Sequence, residues 1–128
     1  MKEQNFYLCK HCGNLVAMLN DSGIRMVCCG ENMMKLEAGT SDGAYEKHVP
    51  EVAVKGDDVH VQVGSVLHPM TEAHYIQWIF ILTDKGGQFK HLKPNDEPKA
   101  SFKLKDEKLI RVYEYCNLHG LFEQKVEE

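Results

Sequence analysis

Cys9-Lys10-His11-Cys12, followed after fifteen residues by Cys28-Cys29, constrains this chain more than any other feature. A CxxC at a tight turn, closed here by Gly13, aims two thiolates at one ion while backbone N–H groups point at the sulfurs. Cys28 and Cys29 complete a four-sulfur shell of the kind that holds zinc or a single iron. A disulfide between neighbouring cysteines is strained, so no structural bridge is expected there. Zinc ribbons repeat CxxC in the second pair, whereas two adjacent cysteines must splay to reach one ion and so distort the tetrahedron. Structural zinc tolerates that distortion and iron is tuned by it, so both metals stay open on the residues alone. Four thiolates leave no vacant position: the centre can fold a unit and pass electrons, but cannot bind a substrate. His11 is expected as a solvent-exposed loop residue rather than a ligand.

The surrounding sequence needs such a staple. Residues 1–37 carry short apolar runs (Phe6–Leu8, Leu15–Leu19, Ile24–Val27) separated by turn signals at Gly13-Asn14 and Asn20-Asp21-Ser22-Gly23. A unit this short cannot bury a self-sufficient core. A small, polar linker occupies 38–43, and from 44 to 128 period-two alternation takes over. Val59, Val61 and Val63 alternate with His60 and Gln62, and Ile110 and Val112 with Arg111 and Tyr113. Ile76, Trp78, Phe80 and Leu82 are expected on one face of a long strand. Turns at Lys55–Asp58, Asp84–Gly87 and Pro94–Pro98 punctuate these runs, and no segment has a 3.6-residue apolar period. The second unit is expected to be an all-β sandwich or barrel.

The formal charge of −4 argues against a general affinity for nucleic acid. No stretch approaches the roughly 20 apolar residues that span a bilayer, and the first residues open no apolar export signal. Cytoplasmic residence is expected. Cys116 makes the cysteine count five, and an odd number favours metal or catalytic use over a disulfide framework.

The second unit contributes six histidines. His60 falls mid-strand on the polar face and His91 lies between Lys90 and Lys93, so both are expected in solvent. His48 follows Glu46-Lys47, His68 precedes Pro69-Met70, His74 opens the next long strand, and Cys116-Asn117-Leu118-His119-Gly120 puts a thiol and an imidazole three apart on a turn. Each alone reads as a surface residue; together they form a candidate ligand set for a borderline metal.

Here the sequence resembles a known family along essentially its whole length. Cys9-x-x-Cys12 with Cys28-Cys29 is similar to desulforedoxin. Glu46-Lys47-His48-Val49-Pro50, Gly64–Met70, His74-Tyr75-Ile76-x-Trp78 and Cys116–Gly120 are similar to the superoxide reductase domain, and the order is that of the desulfoferrodoxins. Residues 87–108 carry no motif of this kind. The resemblance implies two irons per chain: one FeCys4 centre in a desulforedoxin-like domain, and one FeHis4Cys centre in an immunoglobulin-like β-sandwich. His48, His68, His74 and His119 would be equatorial ligands and Cys116 the axial thiolate, with the sixth position open in the ferrous state. Glu46 would occupy that position in the ferric resting state, and Lys47 would sit on a mobile loop beside it. The implied activity is reduction of superoxide to peroxide, with a rubredoxin-like electron donor and a homodimer formed through the first unit.

Two other readings compete. A two-iron electron carrier without substrate turnover would use the same ligands, and a zinc-binding interaction module would use them structurally. A non-haem oxygenase fits less well, because such sites use two histidines and a carboxylate.

Overall fold

The computed structural model describes residues 3–39 and 48–126, which contain twelve strands. They fall into two compact units, with the boundary between Glu37 and Ala38.

In the first unit, β1 (Phe6–Leu8) pairs with β2 (Leu15–Ala17) on one side and β5 (Met34–Lys35) on the other. β3 (Val27–Cys28) and β4 (Glu31–Asn32) form a separate hairpin. Its two-residue loop is Cys29-Gly30, with φ of 53° and 79°. Positive φ at both central positions is the signature of a type I′ turn, whose twist matches that of the flanking strands. Among the described residues of this unit, Tyr7, Cys9 and Met33 form one small buried cluster, and Phe6 is buried as well.

The second unit is a two-layer sandwich. One sheet, in the order β10-β7-β6, uses β6 (Pro50–Lys55), β7 (Asp58–Val63) and β10 (Lys99–Lys103). The other, in the order β12-β11-β8-β9, uses β8 (Ile76–Thr83), β9 (Gly86–His91), β11 (Leu109–Cys116) and β12 (Gly120–Lys125). All adjacent pairs are antiparallel. Side chains of both sheets meet in one core: Val59, Val61, Val63, Ala100 and Phe102 from the first, and Ile76, Ile79, Ile81 and Val112 from the second. Burying each large aliphatic contributes about 1.5–3 kcal/mol.

The first sheet obeys the expected alternation. Val59, Val61 and Val63 point inward, while His60 is exposed and meets Ser101 across the strands at 2.9 Å. The second sheet departs from it. Ile76 packs with Ile79 and Ile81 in the core rather than lying on one face with Trp78, Phe80 and Leu82. The cause is a register shift. Tyr115 opposes Trp78 but Cys116 opposes Ile76, so Gln77 is an extra residue that switches the face of the strand end. β8 and β11 are also buried on both faces, which brings Arg111, Tyr113 and Glu114 out of solvent.

Register places the site. Pro50 at the start of β6 opposes Val63 at the end of β7, and Cys116 lies between Ile76 and Gly120. His48 before β6, the crossover of residues 64–75 and the β11–β12 hairpin therefore gather at one end of the sandwich.

Candidate metal centres

Cys9, Cys12, Cys28 and Cys29 bring their sulfurs within 4.8 Å of one another. The CxxC lies on a turn fastened by Gly13 N–H to the Cys9 carbonyl (2.9 Å) and Cys9 N–H to the Asn14 carbonyl (2.8 Å). Asn14 Nδ2 reaches Cys28 Sγ at 3.8 Å, and Cys12 Sγ lies 3.6 Å from it. The type I′ turn answers how adjacent cysteines share an ion: Cys28 ends a strand, while Cys29 turns into the left-handed region. The backbone N–H groups of Cys12 and His11 lower the Cys9 thiol to about 6, whereas neighbouring sulfurs, Cys12 first, push Cys29 up to about 12. Four clustered thiols cannot all ionise without a cation, and all five cysteines of the chain are free. The set fits a thiophilic metal. His11 is exposed, as expected, and pairs with Glu31 at 2.9 Å.

The second group is a square of imidazoles. Ring centroids along its sides lie 4.5 Å (His48–His68), 4.7 Å (His68–His74), 5.1 Å (His74–His119) and 4.9 Å (His119–His48) apart, with a diagonal of 6.4 Å between His48 and His74. Neighbouring rings are nearly perpendicular, at 75–86°, while His48 and His74 are inclined by only 31°. His48, His68, His74 and Cys116 hold their ligating atoms within 4.8 Å of one another. His119 joins through Nδ1, 3.2 Å from His48 Nε2.

The ring nitrogens are prepared for a cation. His68 donates Nδ1–H to the Pro69 carbonyl at 2.6 Å, which leaves its Nε2 a lone pair facing His48 Nε2 at 3.0 Å. Burial, reinforced by the charges of His48, His74 and His119, lowers His68 to about 4 and keeps it neutral. One proton on His48 Nε2 cannot serve both His68 and His119; a metal ion serves all three. His48 is also stacked on Phe122, with centroids 4.5 Å apart.

Cys116 is fully buried on the core side. Burial raises its thiol, while backbone N–H groups of His119 and Leu118 favour the thiolate. A bound metal would displace the proton outright. His48 and His68 are buried, whereas His74 and His119 are only partly so, which leaves the square a side open to solvent. Glu46 and Lys47 lie outside the described residues, as does most of the 38–43 linker.

Two groups beside this centre escaped the sequence reading. Glu114 lies between Val112 and Cys116 on the core face, with neither carboxylate oxygen hydrogen-bonded among the described residues, and burial holds it well above the usual carboxylate range. An acid at an alternation position between two apolar residues was its signal. Asn117 binds the loop that carries His74 and had no signal beyond its place inside the Cys116–Gly120 motif.

Comparison with known proteins matches both halves of the chain in order. The family model described as Desulfoferrodoxin covers residues 40–125, and that described as Desulfoferrodoxin, N-terminal domain covers residues 1–36. Desulfoferrodoxin from Nitratidesulfovibrio vulgaris strain Hildenborough is 48% identical over 118 residues, covering 92% of this chain and 93% of its own. The solved superoxide reductase from Treponema pallidum superposes with a TM-score of 0.81 at 41% identity, covering 96% of this chain and 99% of that one. A one-iron superoxide reductase from Giardia intestinalis matches with a TM-score of 0.55 at 36% identity, over 65% of this chain and 99% of its own. A four-sulfur cluster, a square of imidazoles beside a buried thiol and two family models matched in order lead to one assignment: the chain belongs to the desulfoferrodoxin family.

Proposed function

We infer that this chain is a superoxide reductase with two irons, one held by Cys9, Cys12, Cys28 and Cys29, the other by His48, His68, His74, His119 and Cys116. The observation that carries the reading is the square of four imidazoles, with the buried Cys116 thiol within 4.8 Å of the ligating atoms of His48, His68 and His74. A zinc structural site uses four tetrahedral ligands; four imidazoles arranged as a square with a thiol among them would offer five donors, which would suit a reactive metal with one vacancy.

Bound there, ferrous iron supplies the electron in O₂⁻ + e⁻ + 2H⁺ → H₂O₂. The protein's own groups set the conditions. Neutral imidazoles and one thiolate leave the centre with a net positive charge toward an anionic substrate. Lys47 adds a second positive charge that draws superoxide to an otherwise acidic domain and, through a water, places a proton. Glu46 would be the carboxylate able to occupy the open position of the ferric resting centre. Both roles rest on the Glu46-Lys47-His48-Val49-Pro50 motif.

The same reading divides the chain into an iron unit of 1–37, a linker of 38–43 and an immunoglobulin-like reductase domain of 44–128. The boundary between Glu37 and Ala38 supports that division. A homodimer through the first unit is supported by the exposure of Leu19 (85%), Ile24 (78%) and Val27 (65%) there. A small rubredoxin-like protein is the expected electron donor. Five free cysteines support cytoplasmic residence, and no helix among the described residues is long and apolar enough to cross a membrane.

Metal analysis together with stopped-flow oxidation of the reduced protein by superoxide tests the function. Two irons per chain are expected, with rapid oxidation, peroxide as product and no dioxygen release. Zinc without iron, or a reduced protein inert to superoxide, overturns the reading.

A further inference from the structure

We propose that Asn117 is the positioning residue that sets His74 against the thiol, clamping the crossover loop to the β11–β12 hairpin from both sides of the histidine. The inference rests on the metal reading of the histidine site. Asn117 Nδ2 donates to the Ala73 carbonyl at 3.0 Å, and Asn117 Oδ1 accepts the Tyr75 N–H at 2.9 Å. The backbone N–H of Asn117 also donates to the Tyr75 carbonyl at 3.2 Å. The three bonds grip the residues immediately before and after His74. The amide orientation is fixed by its partners, because a backbone N–H needs the oxygen and a backbone carbonyl needs the nitrogen.

The four histidines need such help unequally. His48 is buried and stacked on Phe122, and His68 is buried and tied to the Pro69 carbonyl. His119 shares a hairpin with Cys116, closed by the pairing of Cys116 with Gly120. His74 is only partly buried and follows three exposed residues, Thr71, Glu72 and Ala73. Within its loop it is held by a local turn, its N–H reaching the Thr71 carbonyl at 3.2 Å and the Thr71 hydroxyl at 3.1 Å. That turn shapes the loop, and the pairing of Ile76 with Cys116 anchors its end two residues further on. Asn117 carries that anchoring back across His74 itself, because it lies next to Cys116, two residues before His119, and holds the residues on both sides of the histidine. Through it, His74 joins Cys116 and His119 as one set. Hydrogen-bonding partners of this kind typically carry about 10–100-fold in metal affinity.

The test is cobalt(II) titration of the full apo-chain, which reports on both centres by different spectra: four thiolates at one, a single thiolate among imidazoles at the other. Asn117→Ala is expected to weaken cobalt binding at the histidine centre by about 10–100-fold. It should also alter the single-thiolate charge-transfer band, with the four-cysteine centre unchanged and the apo-sandwich still folded. Asn117→Asp retains the acceptor for Tyr75 and is expected to fall between wild type and alanine. Wild-type affinity and band shape in Asn117→Ala overturn the inference. So does an apo-sandwich that no longer folds in both variants, which assigns Asn117 to the fold. Absence of cobalt at the histidine centre of the wild-type chain overturns the metal reading instead.

Discussion

The two units hold their candidate metals in opposite ways. In the first, the candidate ligands sit on two tight turns and the chain around them buries little: Cys9, itself a candidate ligand, shares one small buried cluster with Tyr7 and Met33. In the second, the ligands are far apart, with His48 and His119 separated by 71 residues, and a core of both sheets exists without them. The first unit is organised around its ion, whereas the second is a scaffold whose loops deliver ligands to one end. One metal makes a fold, and the other is received by one.

Metal removal breaks that comparison most directly. Chelation is expected to unfold residues 3–37 while the sandwich persists, since a structural four-ligand site supplies roughly 10–16 kcal/mol of folding energy. Amide dispersion in NMR spectra, followed separately for the two units, checks this. A first unit that keeps its dispersion without metal would show that its small core suffices.

Cys116→Ser separates chemistry from architecture in the second unit. Reaction with superoxide should be lost, because the thiolate donor is gone. The sandwich should lose only about 1–2 kcal/mol, since the Leu118 and His119 N–H groups still find an oxygen acceptor. Stopped-flow kinetics and urea unfolding measure the two effects independently. The equivalent change at Cys9 should instead cost the first unit its fold.

That asymmetry governs how much could be read from the sequence. The four-cysteine site was legible because its ligands are neighbours along the chain and CxxC is a local geometry. What stayed hidden there was the Cys29-Gly30 turn, since positive φ at a cysteine has no sequence mark. The histidine site was illegible residue by residue, because nothing local brings His48 to His68, His74 and His119; grouped with Cys116 they were a candidate set, and the resemblance gave them their roles. The alternation of β7 was read correctly, with a wet face at His60. The same rule failed at Ile76 because the extra residue Gln77 depends on the partner strand's register. Arg111 was misread, and Glu114 overlooked, for a related reason. Alternation reports one dry face, and β11 is covered on both.

A core truncation sharpens the contrast from the other side. Ile79 is fully buried between the sheets, so Ile79→Ala should destabilise the sandwich by about 2–5 kcal/mol. The metal-dependent transition of the first unit should not move, and a urea titration of the holo-protein, read by residue-resolved signals, resolves the two. A shift in both would mean that the units unfold as one.

The smallest effect concerns what holds the first unit besides its ion. Asp21 accepts hydrogen bonds from Gly23 N–H (2.8 Å), the Tyr7 hydroxyl (2.8 Å) and Asn5 Nδ2 (2.9 Å), and these hold its carboxyl below the ordinary value. A lowered folded pKa means stability that is present above the unfolded value of about 3.9 and lost as pH falls through the folded one. The cysteine ligands also take up protons in acid, so the acid limb of wild type alone cannot isolate Asp21. Asp21→Asn can. It should flatten only the Asp21 share of that limb and, at the alkaline end, release Tyr7, whose hydroxyl is raised chiefly by its bond to Asp21. Tyr7 ring signals in the variant should titrate at lower pH than in wild type. An unchanged Tyr7 titration would mean that the bond is not formed in solution and that the ion, with Tyr7, Cys9 and Met33 around it, holds the unit by itself.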